Sequence, residues 1–152
     1  MALIIQKYGG TSVADAIRVK EVAKRVLKYK NEGHDVIVVV SAPAGTTDSL
    51  IRRAYELSET PSKRELDMLL TSGEQISIAS LAIAIEDLGK KAVSLNAFQV
   101  DFKTTDEHTK ATILDINTDI IREKLSEGNV VVFAGFQGIT ENNEITTLGR
   151  GG

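Results

Sequence analysis

The chain has 152 residues, 42% of them apolar, enough for a single domain around one core. A formal charge of −3 and a pI near 5.4 give no basic field for a nucleic acid or an anionic membrane, and no apolar run of membrane length or signal-peptide core is evident, so a cytoplasmic protein is expected. With no cysteine and only His34 and His108, disulfides, thiolate zinc sites, cysteine nucleophiles and an all-histidine metal site are excluded.

The first apolar run, Leu3, Ile4 and Ile5, predicts a strand over residues 3–6 buried on both faces of a parallel sheet. It feeds into Lys7-Tyr8-Gly9-Gly10-Thr11-Ser12, a glycine turn ahead of a helix. Paired glycines let backbone approach a ligand closely, and N–H groups at a helix start suit an anion. Here the lysine precedes the glycines, so the segment is not a P-loop, in which the lysine follows them. Asp15 opens an amphipathic helix with Val19, Val22, Val26 and Leu27 on one side and Arg18, Lys20, Lys24 and Arg25 on the other, ended by Gly33. A second strand is predicted over 36–40, running into Ser41-Ala42-Pro43-Ala44-Gly45-Thr46-Thr47, with a helix over 48–57 beyond it.

Ser62 and Glu65 form a capping box that starts a helix after Pro61. A bend or restart is expected at Gly73, after which the apolar pattern resumes through Ile76, Ile78, Ala82 and Ile85 until Gly89. A third strand falls over 92–95; residues 99–113 show no period and read as loop or short strands. Asn117 caps a helix over 118–127, Gly128 ends it, and a fourth strand over 130–134 runs into Gly135-Phe136-Gln137-Gly138. Strands alternating with helices predict an α/β protein, a three-layer αβα sandwich with a mostly parallel central sheet.

In such sheets ligands lie beyond the carboxyl ends of the strands, so the loops after the first, second and fourth strands should converge on one crevice. Local signals leave the individual residues divided between roles. Lys7 reads as a solvated strand end or a phosphate ligand, Glu74 as a residue favoured by a helix dipole, Asp48 as an N-cap, and Ser41 and Thr47 as backbone caps. His34 reads as a surface turn residue, and Arg150-Gly151-Gly152 as a solvated tail.

Taken together, Lys7-Tyr8-Gly9-Gly10-Thr11-Ser12-Val13, Val39-Val40-Ser41-Ala42, Met68-Leu69-Leu70-Thr71-Ser72-Gly73-Glu74-Gln75, Gly135-Phe136-Gln137-Gly138 and Thr146-Thr147-Leu148-Gly149-Arg150-Gly151-Gly152 resemble the ordered signatures of aspartate kinases. The resemblance spans the chain and implies the N-terminal, substrate-binding portion of an amino-acid-kinase domain, with the nucleotide-binding half and regulatory domains absent. It implies transfer of the ATP γ-phosphoryl to the β-carboxylate of L-aspartate, with Mg2+ held by residues of the absent half, and a homo-oligomer that engages neither nucleic acid nor membrane. By position, Lys7 would steady the phosphoryl oxygens, with Tyr8, Gly9, Gly10 and Ser41 beside the phosphates. Thr47, Phe136 and Gln137 would line the substrate cleft, Glu74 would take the substrate ammonium, and Arg150, Gly151 and Gly152 would close on substrate and phosphate.

Two features depart from that pattern. The family commonly continues past the final glycines with Ser-Asp, and it has arginine where Thr112 stands, in a His-Gly-Asn-Ala-Arg-Ile text that here reads His108-Thr109-Lys110-Ala111-Thr112-Ile113. If residues 109–113 are extended, Lys110 shares a face with Thr112 and could supply the lost charge. The alternatives to the kinase reading are a non-catalytic interaction module and another amino-acid kinase of the same fold.

Overall fold

The computed structural model describes residues 1–149. Strand β1 (Leu3–Tyr8) leads through a 3-10 turn (Gly10–Val13) into α1 (Ala16–Asn31), followed by β2 (Asp35–Val40), α2 (Thr46–Leu57) and α3 (Lys63–Asp87). Then come β3 (Ala92–Leu95), β4 (Phe102–Thr104), β5 (Ile113–Ile116), α4 (Asp119–Ser126), β6 (Val130–Ala134), β7 (Gln137–Ile139) and β8 (Ile145–Thr147). The predicted strands assemble into one sheet in the order β1-β2-β6-β3, every pair parallel.

Alternation along β2 explains how the sheet is covered. Val36, Val38 and Val40 are buried on one face against Val19, Val22 and Val26 of α1 and Ile78, Leu81 and Ile85 of α3. Ile37 and Val39 point to the other face, where Leu125 of α4 and Phe102 join Val131 and Phe133. The Phe102 and Phe133 rings are tilted, with centroids 5.7 Å apart. Helices therefore lie on both faces, as the alternating pattern requires. The helix starts follow the caps: the Asp15 carboxylate accepts the Arg18 N–H at 2.9 Å, and the Ser62 hydroxyl accepts that of Glu65 at 3.3 Å.

Three expectations are corrected. Strand β1 is an edge strand, with Leu3 50% and Ile5 64% exposed, because α4 packs over β6 and leaves that end of its face bare. Helix α3 passes through Gly73 without a break. A Cβ at Gly73 would stand 2.8 Å from Cβ of Ala42 and 3.3 Å from Cγ2 of Thr46, so the glycine serves close approach of the helix to the loop after β2. This same α3 is also long and apolar enough, by length and composition alone, to cross a membrane, but half of its apolar stretch is buried inside the fold.

The segment without a clear period contributes to a second, mixed sheet ordered β5-β4-β7-β8. Its strands are three or four residues long, and only β4 and β7 run parallel. Buried threonines hold it: the hydroxyls of Thr104 and Thr146 are 2.6 Å apart. Gly138 is required beside them, because a Cβ there would collide with the Thr104 side chain.

Candidate active site

The parallel register places the ends of β1, β2 and β6 at one edge of the sheet, and backbone hydrogen bonds stitch their loops together. Ser41 N–H donates to the Tyr8 carbonyl (3.2 Å), Ala44 N–H to Gly10 (3.0 Å), Gly135 N–H to Val40 (3.0 Å) and Leu148 N–H to Phe136 (2.9 Å). A Cβ on Gly10 would lie 2.6 Å from the Ala42 carbonyl oxygen, whereas one on Gly9 would meet nothing within 4 Å. Gly10 thus packs the first loop onto the second, while Gly9 leaves open space beside the backbone.

Lys7, the penultimate residue of β1, lies on the exposed face that also carries Leu3 and Ile5, opposite Val39. Tyr8, one residue on, points the other way and packs against the α1 and α3 core, where burial raises its phenol pKa and Arg25 opposes the rise. Only the backbone of Tyr8 belongs to the loop cluster, which narrows its expected place among the phosphate residues. Ser41 is half-buried at the end of β2, and Thr47 is half-buried in the first turn of α2. Asp48 is not the N-cap of that helix; Gly45 is, in a left-handed conformation with φ of 82°. His34 accepts the Ala2 N–H at 3.0 Å, in keeping with a turn residue.

Glu74 is the most unusual group. Far from a helix start, it sits in the middle of α3, 1% exposed, and its carboxylate accepts one side-chain hydrogen bond, from Gln137 Nε2 at 3.3 Å. Burial pushes its pKa up from 4.5 to about 7, with the Gln137 bond pulling in the opposite direction. Gln137 is itself pinned: its Nε2 also donates to the Thr71 carbonyl (3.3 Å) and its Oε1 accepts the Ala97 N–H (3.2 Å). Phe136, next to it, takes φ of 67°, a strained turn between β6 and β7. The fold therefore brings Glu74 and Gln137 into contact, and it gathers Lys7, Gly9, Gly10, Ser41 and Phe136 on the neighbouring loops.

A second buried carboxylate went unread in the sequence. Asp67 is fully buried on α3 and accepts from the Thr147 hydroxyl (2.6 Å), the His108 Nδ1 (2.8 Å) and the Thr109 N–H (3.1 Å). It ties α3 to β8 and to the loop before β5. The signal lay in the spacing, since Asp67, Thr71 and Glu74 recur on the stripe that Ile78, Leu81 and Ile85 continue as core.

Lys110 fares differently. Thr109 has φ of 71°, and the Lys110 N–H donates to the Glu107 carbonyl at 3.1 Å, so this stretch is a turn and the same-face argument linking Lys110 to Thr112 lapses. Both side chains are exposed. Arg150, Gly151 and Gly152 lie outside the described residues. Among the described residues no cluster of histidine, aspartate and glutamate is placed to hold a metal ion.

A parallel α/β sheet with glycine loops at its strand ends is a framework that takes a small-molecule ligand beyond those ends. The chain belongs to the amino acid kinase family, which it matches over residues 2–152. Among individual proteins it is similar to the aspartokinase of Geobacillus stearothermophilus, at 53% identity over 152 residues, and to that of Mycolicibacterium smegmatis, at 50% over 153. It spans 37% and 36% of the length of those two relatives. The crystal structure of aspartate kinase from Synechocystis superposes with a TM-score of 0.82 at 45% identity, covering 99% of this chain and 24% of the other. E. coli aspartokinase III in complex with lysine and aspartate gives 0.84 at 25% identity, covering 99% and 44%.

Proposed function

We propose that the chain forms the substrate side of an aspartate kinase, which moves the γ-phosphoryl of ATP onto the β-carboxylate of L-aspartate to give 4-phospho-L-aspartate and ADP, at the head of lysine, threonine and methionine synthesis. The observation that carries this reading is Glu74, a buried carboxylate whose side-chain hydrogen bond comes from one neutral amide. Such a group is stabilised by a cation brought to it, and the α-ammonium of an amino acid is one. In this reading Gln137 orients the carboxylate until substrate arrives.

Lys7 and the open backbone at Gly9 receive phosphate oxygens, with Ser41 and the backbone of Tyr8 and Gly10 shaping the loop. Thr47 and Phe136 border the substrate; by the resemblance Arg150, Gly151 and Gly152, outside the described residues, would close on it. In-line phosphoryl transfer needs positioning and charge neutralisation more than covalent chemistry, which suits a site built of backbone and one lysine. Mg2+ accompanies ATP in the reaction the resemblance implies, and among the described residues no cluster of histidine, aspartate and glutamate could hold it. The same reading places the protein in the cytoplasm as a homo-oligomer.

Binding is the direct test, since the chain spans 37% of its first relatives. L-Aspartate should bind in calorimetry, and N-acetylglutamate, which has no free ammonium for Glu74, should not. Glu74→Gln should weaken aspartate at least about tenfold, the equivalent of roughly 1.4 kcal/mol. Lys7→Ala should spare aspartate and weaken ATP. Equal aspartate binding by wild type and Glu74→Gln would remove Glu74 from the site.

A further inference from the structure

Helices α1 and α3 pack side by side on one face of the main sheet, and a groove of about 600 Å³ runs between them. Its walls are apolar, with Val19 from α1 and Ile83 and Ala84 from α3, and Val13 and Pro43 close the end nearest the loops of the sheet. Size and lining are those of a small-molecule site. Neither Glu74 nor Gln137 lines it, so it is separate from the candidate active site.

Polar groups on its walls lack partners. Ser77 is 1% exposed, and its hydroxyl, alone among the buried side-chain polar atoms of the described residues, makes no hydrogen bond. Earlier on the same helix the hydroxyls of Thr71 and Ser72 turn back to the carbonyls of Asp67 (2.9 Å) and Leu69 (2.6 Å). Ser77 makes no such bond, and an unmet buried hydroxyl costs stability unless an outside group meets it. On the other wall Lys20 has no acidic partner among the described residues, whereas Lys24 reaches Glu21 at 3.2 Å. Gly73 abuts Ala42, so Ser77, one turn later, lies at the loop end of the groove, level with the start of α1. Helical side chains lean toward the helix N-terminus, which carries the Lys20 ammonium toward that same end.

The surrounding charge is positive. The exposed surface of α1 carries Arg18, Lys20, Lys24, Arg25 and Lys28 against Glu21 alone, in a chain whose net charge is −3. The two acids on the rim do not cancel it. Asp15 is held by Arg18 at 3.0 Å, and Asp87 stands at the far end, about 15 Å along α3 from Ser77.

We propose that this groove is a binding site for a monocarboxylate with a medium-length alkyl chain. The carboxylate accepts the hydrogen bond of the Ser77 hydroxyl, which a rotation about one side-chain bond offers to the groove, and pairs with Lys20. The alkyl chain lies along Val19, Ile83 and Ala84, away from both polar groups.

The probe is octanoate, titrated into the 152-residue chain and followed by calorimetry and by amide NMR shifts. Saturable binding at or below millimolar concentration is expected, with shifts centred on Lys20, Ser77 and Ala84. Octanol, which meets Ser77 but not Lys20, should bind about tenfold more weakly, and octylammonium should not bind. Lys20→Met, at an exposed position, should weaken octanoate about tenfold as well. Ser77→Ala should weaken octanoate about fivefold while raising the thermal midpoint, because the unmet hydroxyl is gone. Ser80→Phe fills the groove and should abolish binding with an unchanged circular dichroism spectrum. The inference is overturned if octanoate does not saturate, if octanol binds equally well, or if Lys20→Met and Ser80→Phe both leave octanoate binding unchanged. It is also overturned by shifts confined to Lys7, Gly9 and Glu74, or by binding to phosphatidylglycerol vesicles without binding of free octanoate. L-Aspartate binding should be the same in wild type and Lys20→Met, so these outcomes leave the proposed function untouched.

Discussion

Glu74 makes stability depend on pH in the sense opposite to that of a salt-bridged carboxylate. Its folded pKa of about 7 stands above the ordinary value of 4.5, so the folded chain holds a proton that the unfolded chain has released. Below pH 4.5 both states are protonated and nothing is lost. As pH rises from about 4.5 to about 7 stability falls, by about 3 kcal/mol in all, and then levels off. Urea unfolding at pH 5 and pH 8 should show the decline, and Glu74→Gln should abolish it while stabilising the protein at pH 8. Thr109 is a second residue under local stress, a β-branched side chain held at φ of 71°. The related motif carries glycine at this place, and Thr109→Gly keeps the N–H that Asp67 accepts. The relief of left-handed strain outweighs the added chain entropy, so the substitution should stabilise by roughly 0.5 kcal/mol, read as a rise in the thermal midpoint.

At the level of elements, α3 is the piece that joins site to core. Its N-terminal half carries Asp67 and Glu74, and its later turns carry Ile78, Leu81 and Ile85 into the main core. Gly73→Ala should prise the helix from Ala42 and Thr46, costing about 1–3 kcal/mol in denaturant unfolding and weakening aspartate binding with it. The elements that write themselves plainly in the sequence are those with long periods or caps: Asp15 before α1, Ser62 before α3, and the valine runs of β2 and β6. What escaped did so for physical reasons. Gly73 reads as a breaker locally, yet the crowding that selects it comes from a loop some thirty residues earlier. Asp67 finds its partners in His108, Thr109 and Thr147, which no local window contains. Strands β4, β7 and β8 are too short for a period to show and are held by threonine hydroxyls as much as by apolar contacts. Of the site, the glycine loops and the Glu74 and Gln137 motifs were legible, but not that the two side chains touch.

For the whole molecule, the two faces of the main sheet are unequally covered. Helices α1 and α3 seal one, and α4 with Phe102 seals only part of the other. Exposed substitutions should separate accordingly: Ile5→Thr should change stability by less than about 0.5 kcal/mol, whereas Val38→Thr, fully buried, should cost roughly 1–3 kcal/mol in the same unfolding measurement.

The order β1-β2-β6-β3 has a consequence in time as well as in space. Strand β6 lies between β2 and β3, pairing Val131 with both Ile37 and Val93, although it is made long after either of them. As the chain leaves the ribosome, β1 and β2 can pair early, but β3 has no neighbour in the sheet until β6 slots between it and β2. Closing so long a loop makes that insertion the slow step of folding. Until it happens, the edge of β2 that β6 will cover stays unpaired, and the nascent chain passes through a window in which a chaperone has something to hold.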